Sequence, residues 1–171
     1  MYDGQINTEP YQYLYLSTND VNPFTVYIYS NNLVINQVVI SKGKPQYVFI
    51  PRQYIIVENG DINELFTPLS KGLNVKADRR FFANLRFGMT NHAEIITSKG
   101  AAALGKEFFT VVAPNQIKPS NDLSYNYGFQ ASVIATEDNT TVTINHFNKP
   151  LVFTDGNTAK PLTFKLNKGQ S

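Results

Sequence analysis

The apolar runs of this chain are short, and turn-forming residues separate them at close intervals. Phe24, Val26 and Ile28 alternate with Thr25, Tyr27 and Tyr29, so the two sets occupy opposite faces of one strand. Asn31-Asn32 then turns the chain. Residues 38–40, 46–50 and 54–57 follow as short runs, punctuated by Ser41-Lys42-Gly43, by Pro51 and by Glu58-Asn59-Gly60-Asp61. Runs of this length between such residues predict hairpins stacked into a sandwich or barrel. Convincing helical periodicity is absent; residues 62–66 read as one helical turn, and residues 101–104 as a helical turn or extended linker.

Further strands are expected at residues 11–16, 73–77, 81–87, 93–97, 141–144, 150–153 and 162–166. Residues 106–112 and 129–135 are almost continuously apolar or aromatic, which predicts the central strands. The expected core holds Phe24, Val26, Ile28, Val111, Val133, Ile134, Val142 and Ile144. The fold class is therefore all-β, a mainly antiparallel β-sandwich in one or two packed lobes. One domain over residues 1–171 is expected, with sub-lobes 1–97 and 98–171.

Two segments share a hairpin logic, a strand and a connection followed by a strand ending in Lys-Gly: Lys42-Gly43 and Lys168-Gly169. A strand follows the first, whereas the chain stops soon after the second. On that parallel the domain is expected to be truncated at its C-terminal end, with the 162–166 strand at a sheet edge.

Composition supports the β reading. Charged residues are 16% of the chain against about 25% for an average soluble domain. Asn, Thr, Ser, Gln and Tyr take their place, and these suit β-surfaces and turns. A net charge of +2 with no clustered basic stripe argues against nucleic acid. Lys42/Lys44 and Arg79-Arg80 read as solvated turns. Cysteine is absent, which removes disulfides and thiolate metal sites. Apolar runs fall short of the roughly 20 residues that span a bilayer, so membrane insertion is not expected. The first ten residues are polar and do not read as a signal peptide. Met1 fits a start placed after a removed signal, or a cytoplasmic start.

Catalytic patterns are sparse. His92 and His146 read as strand or turn residues, and no cofactor or transition metal is expected. Neither a Gly-x-Ser-x-Gly elbow nor a phosphate-cradling glycine loop is present. Glu137 and Asp138 are adjacent, which suits turn fixation better than paired-carboxylate glycoside chemistry. Calcium at that turn is the alternative. Tyr125, Asn126 and Tyr127 lie in the longest polar loop and offer flat amphipathic contact area. They form the candidate ligand-contact loop, against the plainer reading that the tyrosines cover a sandwich end.

An ordered series of turn-linked elements resembles the IgGFc-binding N-terminal domain family, a module of large secreted and cell-surface proteins. Residues 11–26 are similar to its aromatic-rich first strand and Asn-containing turn, and residues 38–51 to its Gly-turn hairpin ending in Pro. Lys71-Gly72-Leu73-Asn74-Val75-Lys76-Ala77-Asp78 follows in order. Next come Leu104-Gly105-Lys106-Glu107-Phe108, then Ala-Thr-Glu-Asp-Asn-Thr-Thr-Val at residues 135–142. Leu166-Asn167-Lys168-Gly169-Gln170 closes the series. Arg79-Arg80-Phe81 departs from the family, which tends to carry Pro-Val there.

The resemblance implies a non-catalytic extracellular recognition or adhesion module of a large cell-surface protein. Similar domains occur in surface proteins of gliding bacteria. Implied partners are a surface glycan or glycoprotein and neighbouring domains of a longer chain. The alternatives are a structural module of a filament or phage-like particle, and a carbohydrate-active enzyme domain.

Overall fold

A computed structural model describes residues 12–55, 67–89, 92–111, 131–147 and 160–171. The strand at residues 150–153, the helical turn at residues 62–66 and the loop carrying Tyr125, Asn126 and Tyr127 lie outside them. Among the described residues there are nine strands: β1 (Tyr13–Ser17), β2 (Phe24–Ser30), β3 (Leu33–Ile40), β4 (Gln46–Phe49), β5 (Asn74–Lys76), β6 (Phe82–Met89), β7 (His92–Thr97), β8 (Thr140–Ile144) and β9 (Leu162–Leu166). They form a four-stranded sheet in the order β4-β1-β6-β7, a three-stranded sheet β3-β2-β5 and a two-stranded ladder β8-β9. Every pairing is antiparallel.

The two larger sheets bury their inner faces together. Leu14, Leu16, Val48 and Ala83 come from the first, and Phe24, Val26, Ile28 and Ile40 from the second; Ile50 and Ile55 complete the cluster. Alternation in β2 dictates this, since its even positions are buried while its odd positions stay accessible. Burial of each such aliphatic side chain contributes roughly 1.5–3 kcal/mol.

Turn chemistry fixes the hairpin registers. Asn31 and Asn32 both have positive φ, 47° and 61°, as a type I′ turn requires, and they join β2 to β3 with Ser30 opposite Leu33. The two Lys-Gly segments adopt the same turn. Lys44 N donates to Ser41 O at 2.9 Å, with Gly43 at φ 75°; Gln170 N donates to Asn167 O at 2.9 Å, with Gly169 at φ 82°. Positive φ at the third position is the type II requirement that glycine meets without strain. The sequence parallel is thus a shared turn.

Three strand expectations are corrected. Residues 107–111 and 131–135 form no strand, and Val111 (93% exposed), Val133 and Ile134 are not core. Continuous apolarity carries no register, and a strand needs a ladder partner, which these runs lack among the described residues. In 131–135 only Ala135 pairs, exchanging bonds with Gly169 N and Gln170 O at 2.9 Å, and it is buried. Val142 and Ile144 are half-buried instead of core, because the two-stranded β8-β9 ladder covers its inner stripe only in part. Of the strand expected at residues 54–57, the described part, Tyr54 and Ile55, instead ends a 3-10 helix (Arg52–Tyr54). Tyr54 N bonds Pro51 O and Ile55 N bonds Arg52 O, so local bonds replace a ladder.

The segment 135–142 and the segment 166–170 clasp each other. Lys168 N donates to Asp138 Oδ1 at 3.0 Å, and Asn139 N donates to Asn167 Oδ1 at 3.1 Å. Thr140 Oγ1 donates to Glu137 O within its own turn. Asn32 Nδ2 reaches Lys168 O at 3.4 Å, linking the β2-β3 turn to the clasp. Beyond it, Ser171 and Leu69 exchange both backbone bonds, at 2.8 and 2.9 Å.

Candidate ligand-binding face

The outer face of the four-stranded sheet is aromatic. Antiparallel register places Tyr13 opposite Phe49 and Tyr15 opposite Tyr47, all on the side away from Leu14, Leu16 and Val48. Tyr13 lies 5.6 Å from Tyr47 and 5.9 Å from Phe49 between ring centroids, both edge-on. Tyr15 lies 6.1 Å from Tyr47 and 6.4 Å from Tyr13. These separations suit edge-to-face and tilted aromatic pairs, which fix the rings before any ligand arrives. Tyr47 is 68% exposed, Phe49 42% and Tyr15 39%.

The aromatic patch grades into hydrogen-bond donors across the sheet. β6 sets Asn84 beside Tyr15 and Arg86 beside Tyr13. β7 sets Thr97 beside Asn84 and Ile95 beside Arg86. Thr97 Oγ1 donates to Asn84 Oδ1 at 2.7 Å, which fills one lone pair of that oxygen and leaves the Asn84 NH₂ for another partner. Arg86 is the one charged residue whose register puts it on this face among the described residues; Glu94 pairs with Phe87 in the opposite phase.

The second sheet also turns tyrosines outward. Tyr27 and Tyr29 lie 6.5 Å apart, and Lys76 Nζ sits 5.3 Å from the Tyr29 ring centroid. That cation–π contact occupies the ring face, so this pair is the less available of the two.

Asp138 bonds a backbone N–H across the clasp, a longer-range role than fixing its own turn. His146 is exposed with a left-handed φ of 56°, and His92 opens β7. Among the described residues no three His, Cys, Asp or Glu side chains group as metal ligands, and no helix is long and apolar enough to cross a membrane. Arg79 pairs with Asp20 at 2.9 Å, and Asp20 also accepts from Asn22 N. The Arg79 hydrogen bond, seconded by that backbone bond, holds the Asp20 carboxyl below its ordinary range. Arg79 is thus a structural tie, more than a freely solvated turn residue.

Fold and face together define a β-sandwich module with an exposed, pre-set aromatic surface. Residues 95–171 match the family model described as IgGFc binding protein, the family that the ordered motifs resemble. The match points to an extracellular binding module. No curated protein matches the chain, and no solved structure does. Sequence reasoning missed the aromatic face. Its signal is present as alternation, Tyr13-x-Tyr15 and Tyr47-x-Phe49, which by itself specifies only a strand.

Proposed function

We propose that the protein is a non-catalytic recognition or adhesion module of a large cell-surface protein, and that it contacts its ligand through the aromatic face of the four-stranded sheet. The observation that carries this reading is the cluster of Tyr13, Tyr15, Tyr47 and Phe49, held ring against ring while facing solvent. Large apolar side chains left outside a core mark interaction surfaces. The four rings cost little to immobilise because their neighbours already hold them. The family match supports a binding role in general. Adhesion, a glycan or glycoprotein partner and an origin in gliding bacteria are the finer parts of the proposal.

The test is a paired Tyr47→Ala, Phe49→Ala variant, assayed on glycan and glycoprotein arrays that include immunoglobulin Fc. Its circular dichroism spectrum should match that of the unaltered protein, because both side chains lie outside the core, while array binding should fall at least tenfold. Unchanged binding by a folded double variant overturns the assignment of this face.

The assembly reading has one observation in its favour. Leu104, Phe108, Phe109 and Val111 are exposed together in a segment without strand partners among the described residues. Concentration-dependent self-association, abolished by Phe109→Ser, would favour it.

A further inference from the structure

We infer that the ligand of the aromatic face is a linear oligosaccharide of uronic acids, with Arg86 as its anchor. The inference rests on the reading of that face as the contact surface, and three observations extend it to a chemical class.

The first is charge. Tyr47, Phe49, Tyr13, Tyr15, Ser17, Phe82, Asn84, Arg86, Ile95 and Thr97 share the face by register, and the set holds one cation and no carboxylate. Among the described residues no acid pairs with Arg86, so its guanidinium fork is available for a carboxylate, the geometry it matches best.

The second is hydrogen-bond polarity. Thr97 fills one lone pair of Asn84 Oδ1, while both N–H donors of Asn84 stay open beside those of Arg86. A donor-rich strip calls for a ligand rich in acceptors.

The third is size. At about 200 Å² per large side chain, the exposed parts of Tyr15, Tyr47 and Phe49, with Phe82 and Ile95 that share the face by register, come to about 540 Å². A stable protein partner covers about 800 Å² on each side. The patch is the size of a few sugar rings. The C–H face of a pyranose stacks on the electron-rich face of a ring, as an aromatic edge does. Strands lie roughly 4.8 Å apart, so a sugar stacked over β4 and β1 carries its chain onward to β6. There its carboxylate meets Arg86, beside Asn84.

Titration calorimetry tests this, with oligogalacturonate as probe, its methyl ester as the neutral control and immunoglobulin Fc as the protein control. The unaltered protein should bind oligogalacturonate at least tenfold more tightly than the ester, with affinity falling as salt rises. Arg86→Gln should abolish that preference, lowering oligogalacturonate affinity to that of the ester. Tyr47→Ala should weaken both. Equal affinity for acid and ester, with Arg86→Gln silent, overturns the acidic class while the face still stands. Binding of Fc alone, lost in Tyr47→Ala, overturns the saccharide in favour of a protein ligand. Binding that neither substitution changes overturns the face itself, and with it this inference.

Discussion

Ile28 tests the sandwich most directly. Its side chain is 0% exposed at the centre of β2, between β3 and β5, and it points into the cluster formed with the facing sheet. Ile28→Ala removes three methylene-sized groups, worth about 2.4 kcal/mol at roughly 0.8 kcal/mol each. The surrounding strands are held by ladders on both sides and cannot collapse fully, so a cavity term raises the cost to about 3–4 kcal/mol. For a chain of 171 residues this corresponds to a loss of about 10 °C in Tm. Two companions calibrate the result. Ile144→Ala, half-buried in β8, should cost roughly 1–2 kcal/mol. Val111→Ala, 93% exposed, should stay within about 0.5 kcal/mol. Urea unfolding at constant slope reads all three as shifts in midpoint. A cost below about 1 kcal/mol for Ile28→Ala, or a Val111→Ala cost that equals it, refutes the placement of the core.

The clasp and the ion pair give two further tests. Asp138→Ala removes the acceptor for Lys168 N and should cost about 1 kcal/mol in urea unfolding, whereas Asp138→Asn keeps an acceptor oxygen and should cost less; equal costs would show that the bond contributes nothing. Asp20 has a folded pKa below its ordinary 3.8, so its contribution is fully present above that value and is lost as pH falls through the lower folded value. The Tm gap between the unaltered protein and Asp20→Asn should therefore hold steady at neutral pH and close below pH 3.8 in an acid titration. A gap that persists at the acid end would mean that the Arg79 contact does not account for it.

Elements with a period of two were legible from the sequence. β2 begins at Phe24 with the expected faces, β9 spans the expected residues 162–166, and β8 differs from its expected span by one residue at its start. Alternation encodes both a strand and the side it buries, so one reading yields both. Residues 106–112 and 129–135 misled for the converse reason. An unbroken apolar run says that burial would be favourable but names no partner, and the described parts of both runs lack one outside Ala135. Pro51 fixed its own φ near −55° and opened a 3-10 turn, although the residues after it look strand-like.

The aromatic face was illegible for a different reason. Tyr13 and Tyr15 are visible as a pair, as are Tyr47 and Phe49, but only the pairing of β1 with β4 brings the four rings within about 6 Å. Arg86 joins them only through the pairing of β1 with β6. Local sequence specifies each strand, and long-range register makes the surface.

The motifs that carry the family likeness and the residues that form the candidate site have separate jobs. Asp138, Asn139, Asn167 and Gly169 spend their polar groups and their backbone freedom on the clasp between two turns. In this chain the clasp satisfies backbone N–H groups beside β8 and β9, a need that is independent of what the protein binds. The family match over residues 95–171 includes that clasp, yet it takes in only Ile95 and Thr97 of the aromatic face. Tyr13, Tyr15, Tyr47, Phe49, Asn84 and Arg86 all precede it. These outward positions bear no core constraint, so they are free to differ while the fold persists. Shared turns then predict a shared scaffold, whereas under the proposed function the ligand is set by outward side chains of β1, β4 and β6. An exchange makes the point measurable: replacing the outward rings of those strands by other aromatic residues should change array specificity while unfolding stability in urea changes by no more than about 1 kcal/mol, whereas disrupting the clasp should lower the midpoint and leave specificity intact.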